Sequence, residues 1–175
     1  MPYKHYPIFA FGLIMVAFIF QAGCKNQEAW HTYNNDTYKY SIDYPSGWSL
    51  SDQFQNDQLA IIKSPDGRVT ISVLVSESNG RNLDQQVNFY SSSIKSGSYF
   101  YQIVSDKTIK FQGIDARQLM VAYQANKDTP KYVSIELYLI EKGKAFLIRC
   151  TAIETDLSSL PPDYQRVLST FNLIN

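Results

Sequence analysis

The strongest constraint on this chain is an alternation of period two that returns three times between residues 115 and 153. Asp115 to Gln124 sets Arg117, Leu119, Val121 and Tyr123 against Ala116, Gln118, Met120 and Ala122. Tyr132 to Glu141 sets Val133, Ile135, Leu137 and Leu139 against Tyr132, Ser134, Glu136 and Tyr138. Ala145 to Ile153 repeats the pattern, with Phe146, Ile148, Cys150 and Ala152 on one side and Arg149 on the other. Side chains change face at every residue only in extended backbone, so each segment predicts a strand. The connections are a polar loop containing Pro130 and the turn Lys142-Gly143. Three long strands joined this closely form a meander.

The remaining segments extend this plan. Tyr38, Tyr40, Ile42 and Tyr44 alternate with Lys39, Ser41 and Asp43. Pro45 ends that strand, Ser46-Gly47 turns, and Trp48 folds back onto the same layer. Leu59 to Lys63 and Arg68 to Ser76 are two apolar runs joined by Ser64-Pro65-Asp66-Gly67, which predicts a hairpin. The period changes over Asn82 to Lys95, where Leu83, Val87, Tyr90 and Ile94 recur at helical spacing. Asn82 and Gln85 suit a capping box, and Gly97 suits the end of the helix. Ser91-Ser92-Ser93 reads as its solvated face. A second helix is expected within Leu157 to Phe171, with Pro161-Pro162 at or before its first turn and Tyr164, Val167, Leu168 and Phe171 on one face. The expected fold class is α+β: an antiparallel β-sheet flanked by helices, an α-β-α sandwich.

Charge and composition exclude some functions. The chain is 45% hydrophobic and 14% aromatic, enough for a core, and carries 16 basic and 16 acidic residues. That balance argues against a nucleic-acid binder, which needs a basic stripe. No histidine follows Asp36, so Ser-His-Asp and Cys-His schemes lack their base and most zinc sites lack a ligand. Neither a phosphate-binding loop nor a dinucleotide fingerprint is present, and no cofactor or metal is expected. Carboxylates remain, so the alternative to a binding protein is a hydrolase using two of them. Glu136 is the first to inspect, because it stands in the middle of an aromatic-flanked strand. Cys150 reads as a small buried apolar side chain. Tyr99-Phe100-Tyr101 is the candidate binding surface, an aromatic run at the start of a strand.

The N-terminus supplies an address. Lys4 precedes Ile8 to Phe20, an unbroken apolar run, and the chain turns polar after Cys24. This is the plan of a secretory signal, and the run is short for a spanning helix, which takes about 20 apolar residues. Ala22-Gly23-Cys24 resembles the box of bacterial lipoprotein signals, in which the cysteine is lipidated and becomes the new N-terminus. Gln21 stands where that family usually has an aliphatic residue, which leaves an uncleaved N-terminal anchor as the other reading. The organisation expected is a signal over 1–23, a polar tether over 24–36 and one domain over 37–175, outside the cytoplasmic membrane and attached to it through lipid on Cys24.

Tyr40-Ser41-Ile42-Asp43-Tyr44-Pro45 with Trp48, Gly113 with Ala116, the strand Phe146-Leu147-Ile148 with Cys150-Thr151-Ala152, and Tyr164, Val167 and Phe171 near the end resemble the PsbP family. The likeness runs from about Thr37 to Ile174. It implies a PsbP-like α+β fold and a non-catalytic binding module with a protein partner. The family includes the photosystem extrinsic protein, a nuclear-transport relative that binds the GTPase Ran, and single-domain prokaryotic lipoproteins, which this chain is most similar to. The photosystem protein's metal-linked histidine has no counterpart here.

Overall fold

A computed structural model describes residues 29–51, 59–154 and 163–174. In chain order the elements are β1 (Trp30–Asn35), β2 (Tyr40–Pro45), β3 (Ser49–Ser51), β4 (Leu59–Lys63), β5 (Val69–Glu77) and α1 (Leu83–Ser96). They continue as β6 (Phe100–Phe111), β7 (Ile114–Gln124), β8 (Tyr132–Glu141), β9 (Lys144–Ile153), α2 (Asp163–Thr170) and β10 (Asn172–Leu173). The leader, Cys24 and the first part of the tether lie outside the described residues, as do Pro161 and Pro162.

Seven strands make one sheet in the order β3-β4-β5-β9-β8-β7-β6, and β1-β2-β10 make a second. Every described pair is antiparallel. The expected meander is there, with β9 also reaching across to β5. Two tight turns, Gln112-Gly113, which joins β6 to the meander, and Lys142-Gly143 within it, have positive φ at both central residues. That is the type I′ geometry, whose twist matches the strands it joins.

Alternation sorts the side chains of the large sheet. Ile71, Val73, Leu139, Phe146 and Ile148 point to one face and are buried there with Tyr40, Ile42 and Phe171. Leu119, Val121, Tyr138 and Leu147 point to the other face and pack under Val87 of α1. α1 starts as its sequence requires: Asn82 Oδ1 accepts from the Gln85 N–H at 2.9 Å, and Gln85 Oε1 accepts from the Asn82 N–H at 3.0 Å. Ser91, expected on the solvated face, is instead 9% exposed and turned toward the sheet. Ser91 stands four residues after Val87 and three before Ile94, so helical spacing puts it on the face those residues define.

Two corrections follow. Helices were expected on both faces, but only the second face has a purely helical cover. The first face is covered by the three-stranded sheet, with α2 beside it contributing Val167 and Leu168. The tether was expected to run to Asp36, but residues 30–35 are β1, paired with β2 from Trp30↔Pro45 to Asn35↔Tyr40. β1 is an edge strand, and its exposed side chains, His31, Thr32 and Asn34, are all polar. Its apolar members are held in place: Tyr33 sits edge-on to Tyr40 at 6.0 Å, and the Arg166 guanidinium of α2 lies 4.1 Å over the Trp30 ring. The folded domain therefore includes residue 30.

β6 is an edge strand of the large sheet. Its pairing with β7 shifts register between Ile103 and Ser105, so Val104 is bulged out and 53% exposed.

Candidate functional site

Three places in the fold bear on function. The first is Glu136, the carboxylate singled out from the sequence. It lies mid-strand in β8, opposite Arg149 of β9, and is 0% exposed. Arg149 Nε donates to Glu136 Oε1 at 2.7 Å, and Ser134 Oγ donates to the same oxygen at 3.0 Å. The Tyr138 hydroxyl donates to Oε2. Burial works against the charge on Arg149, but Glu136 outweighs it and holds the guanidinium above its ordinary range. Burial first, and then the Glu136 charge, push the Tyr138 phenol far above its ordinary value. A buried charge is tolerable only when paired and hydrogen-bonded, and this one is both. A general acid or base must reach its substrate. Glu136 reaches only protein, so its role is to hold β8, β9 and the surrounding hydroxyls in register.

The second place is the aromatic run. Tyr99 is 60% exposed, and the Lys127 ammonium lies 5.5 Å from its ring centroid. Phe100 is half-buried, with the Lys131 ammonium 5.2 Å from its centroid. Tyr101 turns to the opposite face of β6, packs on the cluster beneath α1, and has its phenol pushed up by burial. The structure thus places Tyr99 and Phe100 beside a lysine-bearing loop and separates Tyr101 from them. Strand alternation separates Phe100 from Tyr101, whereas Tyr99 precedes the strand and its side chain is not bound by that alternation.

The third place was not singled out from the sequence. Three connections meet at one end of the molecule: the β1–β2 turn, the Gln112 turn and the Lys142 turn. With β10 they enclose a cleft of about 590 Å³. Its apolar wall is Ile114, Phe146, Leu173 and Ile174, and its polar rim includes Lys39, Lys142 and Lys144. The rim is fastened to the core. Gln112 Nε2 donates to the Phe171 carbonyl at 2.6 Å, and the Ile174 N–H donates to the Lys39 carbonyl at 2.8 Å. Lys144 pairs with Glu77 and lies 5.8 Å from the Tyr38 ring centroid. The volume is in the range of small-molecule sites, which also combine apolar walls with a few polar groups. Turn residues such as Gly113 and Lys142-Gly143 are visible in the sequence; that three turns converge is a tertiary fact.

Cys150 faces the first core and is buried, and burial pushes its thiol up to about 12. That keeps it protonated and unreactive at neutral pH.

No sequence-family profile matches the chain, and no curated protein matches it by sequence. Solved structures do match. The cyanobacterial PsbP protein CyanoP from Synechocystis superposes with a TM-score of 0.66 at 14% identity, over 89% of this chain and 98% of that one. The Ran-binding protein Mog1p of Saccharomyces cerevisiae gives 0.62 at 12%, over 85% and 97%. LpqN of Mycobacterium tuberculosis, described as involved in cell envelope biogenesis, gives 0.58 at 13%, over 86% and 93%. The fold is PsbP-like. At these identities the likeness concerns the fold alone.

Proposed function

We propose that this protein is a non-catalytic binding module, held on the outer face of the cytoplasmic membrane by lipid on Cys24. The observation that carries the first half is the state of Glu136: the carboxylate best placed for chemistry is sealed under protein and committed to three donors. The open surface offers what binding uses instead, a lysine-rimmed cleft and aromatic rings under lysines. Two fold neighbours favour the same reading through their descriptions, one as Ran-binding and one as involved in cell envelope biogenesis. The carboxylate-pair hydrolase loses its leading residue, since Glu136 has no access to a substrate.

The second half rests on Ala22-Gly23-Cys24 after the apolar run. The test is to express the full chain in a bacterium fed an alkyne-tagged palmitate and to determine the mass of the mature N-terminus. We expect the tag on a chain that begins at Cys24 and fractionates with membranes. An untagged chain that still begins at Met1 overturns the lipid anchor.

A further inference from the structure

We propose that the cleft between the three-stranded sheet and the two type I′ turns binds a small amphipathic anion, a carboxylate or phosphate ester joined to a hydrocarbon or aromatic body. The inference rests on the binding-module reading and names its ligand class.

The first observation is conformational. Among the described residues, four other than glycine have positive φ: Lys39 at 56°, Asn79 at 51°, Gln112 at 51° and Lys142 at 49°. Asn79 is of a type that tolerates this backbone, because a short polar side chain compensates locally. Lys39, Gln112 and Lys142 have no such side chain, and all three line the cleft. Gln112 is accounted for by its bond to the Phe171 carbonyl. Lys39 and Lys142 remain, each at a position that would be more comfortable as glycine or asparagine. Strain of this kind persists where a side chain is wanted for something other than the fold.

The second observation is electrostatic. The cleft is lined by three lysines and one carboxylate, Glu141. Lys144 already has Glu77. Lys39 and Lys142 are exposed, and among the described residues neither has an acidic partner. They are two point charges at the mouth of a cavity whose wall is Ile114, Phe146, Leu173 and Ile174. Ammonium groups attract a carboxylate or phosphate, the wall takes the apolar body, and the side-chain amide of Asn172 supplies a further donor.

The two observations combine in one test. Lys39→Asn with Lys142→Asn removes both charges and eases both backbones. The full chain is placed in nanodiscs of zwitterionic lipid and titrated by calorimetry with phenyl phosphate and with hexanoate. Phenol and hexanol serve as neutral counterparts, and empty discs as the blank. We expect at least one anion to bind about tenfold or more tighter than its neutral counterpart. Its affinity should fall as salt rises from about 0.01 M to about 0.15 M. The double asparagine variant should lose about tenfold or more in affinity, while its unfolding midpoint holds or rises by about 2–4 °C. Lys39→Arg with Lys142→Arg should keep the binding. Equal binding of anion and neutral probe, unchanged affinity in the asparagine variant, or a fall in that variant's midpoint overturns the proposal. A cleft that ignores all four probes, in a protein that is acyl-tagged and membrane-held, overturns this inference and leaves the anchored module standing.

Discussion

The two faces of the seven-stranded sheet are built by the same strands and held by different chemistry. The face under the three-stranded sheet is dry. Phe171 sits there 5.5 Å from the Tyr40 ring, 6.0 Å from Phe146 and 6.2 Å from Phe111, with branched aliphatic residues around them. The face under α1 is mixed. Among the described residues, four of the six buried polar side chains, Gln86, Ser91, Ser134 and Glu136, lie in or beneath that helix, and Arg149 joins them. Apolar packing has no preferred partner and depends on area and fit. A buried polar group depends on specific neighbours and is costly when one is lost. A dry face therefore loses stability in proportion to the volume removed, whereas a polar one fails at single atoms.

That contrast can be broken by three measurements. The largest effect is expected from Glu136→Leu. It adds apolar character, yet strands the Arg149 charge and the Ser134 and Tyr138 donors, and should cost about 4–5 kcal/mol. Glu136→Gln keeps an acceptor in place and should cost about half as much. Urea unfolding reads both. Next comes Phe171→Ala, which opens a cavity among three rings and should cost about 3–4 kcal/mol by the same measurement. If Phe171→Ala proves the more damaging, the two faces are not different in kind.

The smallest effect concerns alkaline pH. The native state keeps Tyr138 protonated far above its ordinary value of 10.0, whereas the unfolded chain ionises it there. The stabilisation is thus fully present below about pH 10 and drains away as pH climbs further, because deprotonation favours the unfolded chain. Tyr138→Phe should cost about 1 kcal/mol at neutral pH. It should also flatten the fall in melting temperature between about pH 9 and about pH 11. Tyr101 and Tyr123, also pushed up mainly by burial, will leave a residual slope.

What could be read from the sequence divides along the same lines. α1 announced itself with Asn82 and Gln85, and the hairpins with Pro65-Asp66-Gly67 and Lys142-Gly143, because caps and turns are local. The meander was legible because burial of one face imposes period two. Glu136 stood out as a carboxylate in the middle of an aromatic-flanked strand, although the register that brings Arg149 opposite it was not visible. β1 was hidden, since Trp30 to Asn35 is mostly polar and only its pairing with β2 makes it a strand. The cleft was hidden for a different reason. Lys39, Gln112 and Lys142 are far apart in the chain, and nothing in their identity signals a left-handed backbone.

The bulge at Val104 has a consequence beyond local geometry. β6 is long and lies at the margin of a wide sheet, where its outer amides and carbonyls could serve as a template for the next molecule. The extra residue throws that row out of step partway along, and Lys107 and Lys110 add charge to the lower half. A neighbouring chain that began to copy the strand would lose its match at Val104. The sheet thus ends in a strand unsuited to fibril growth.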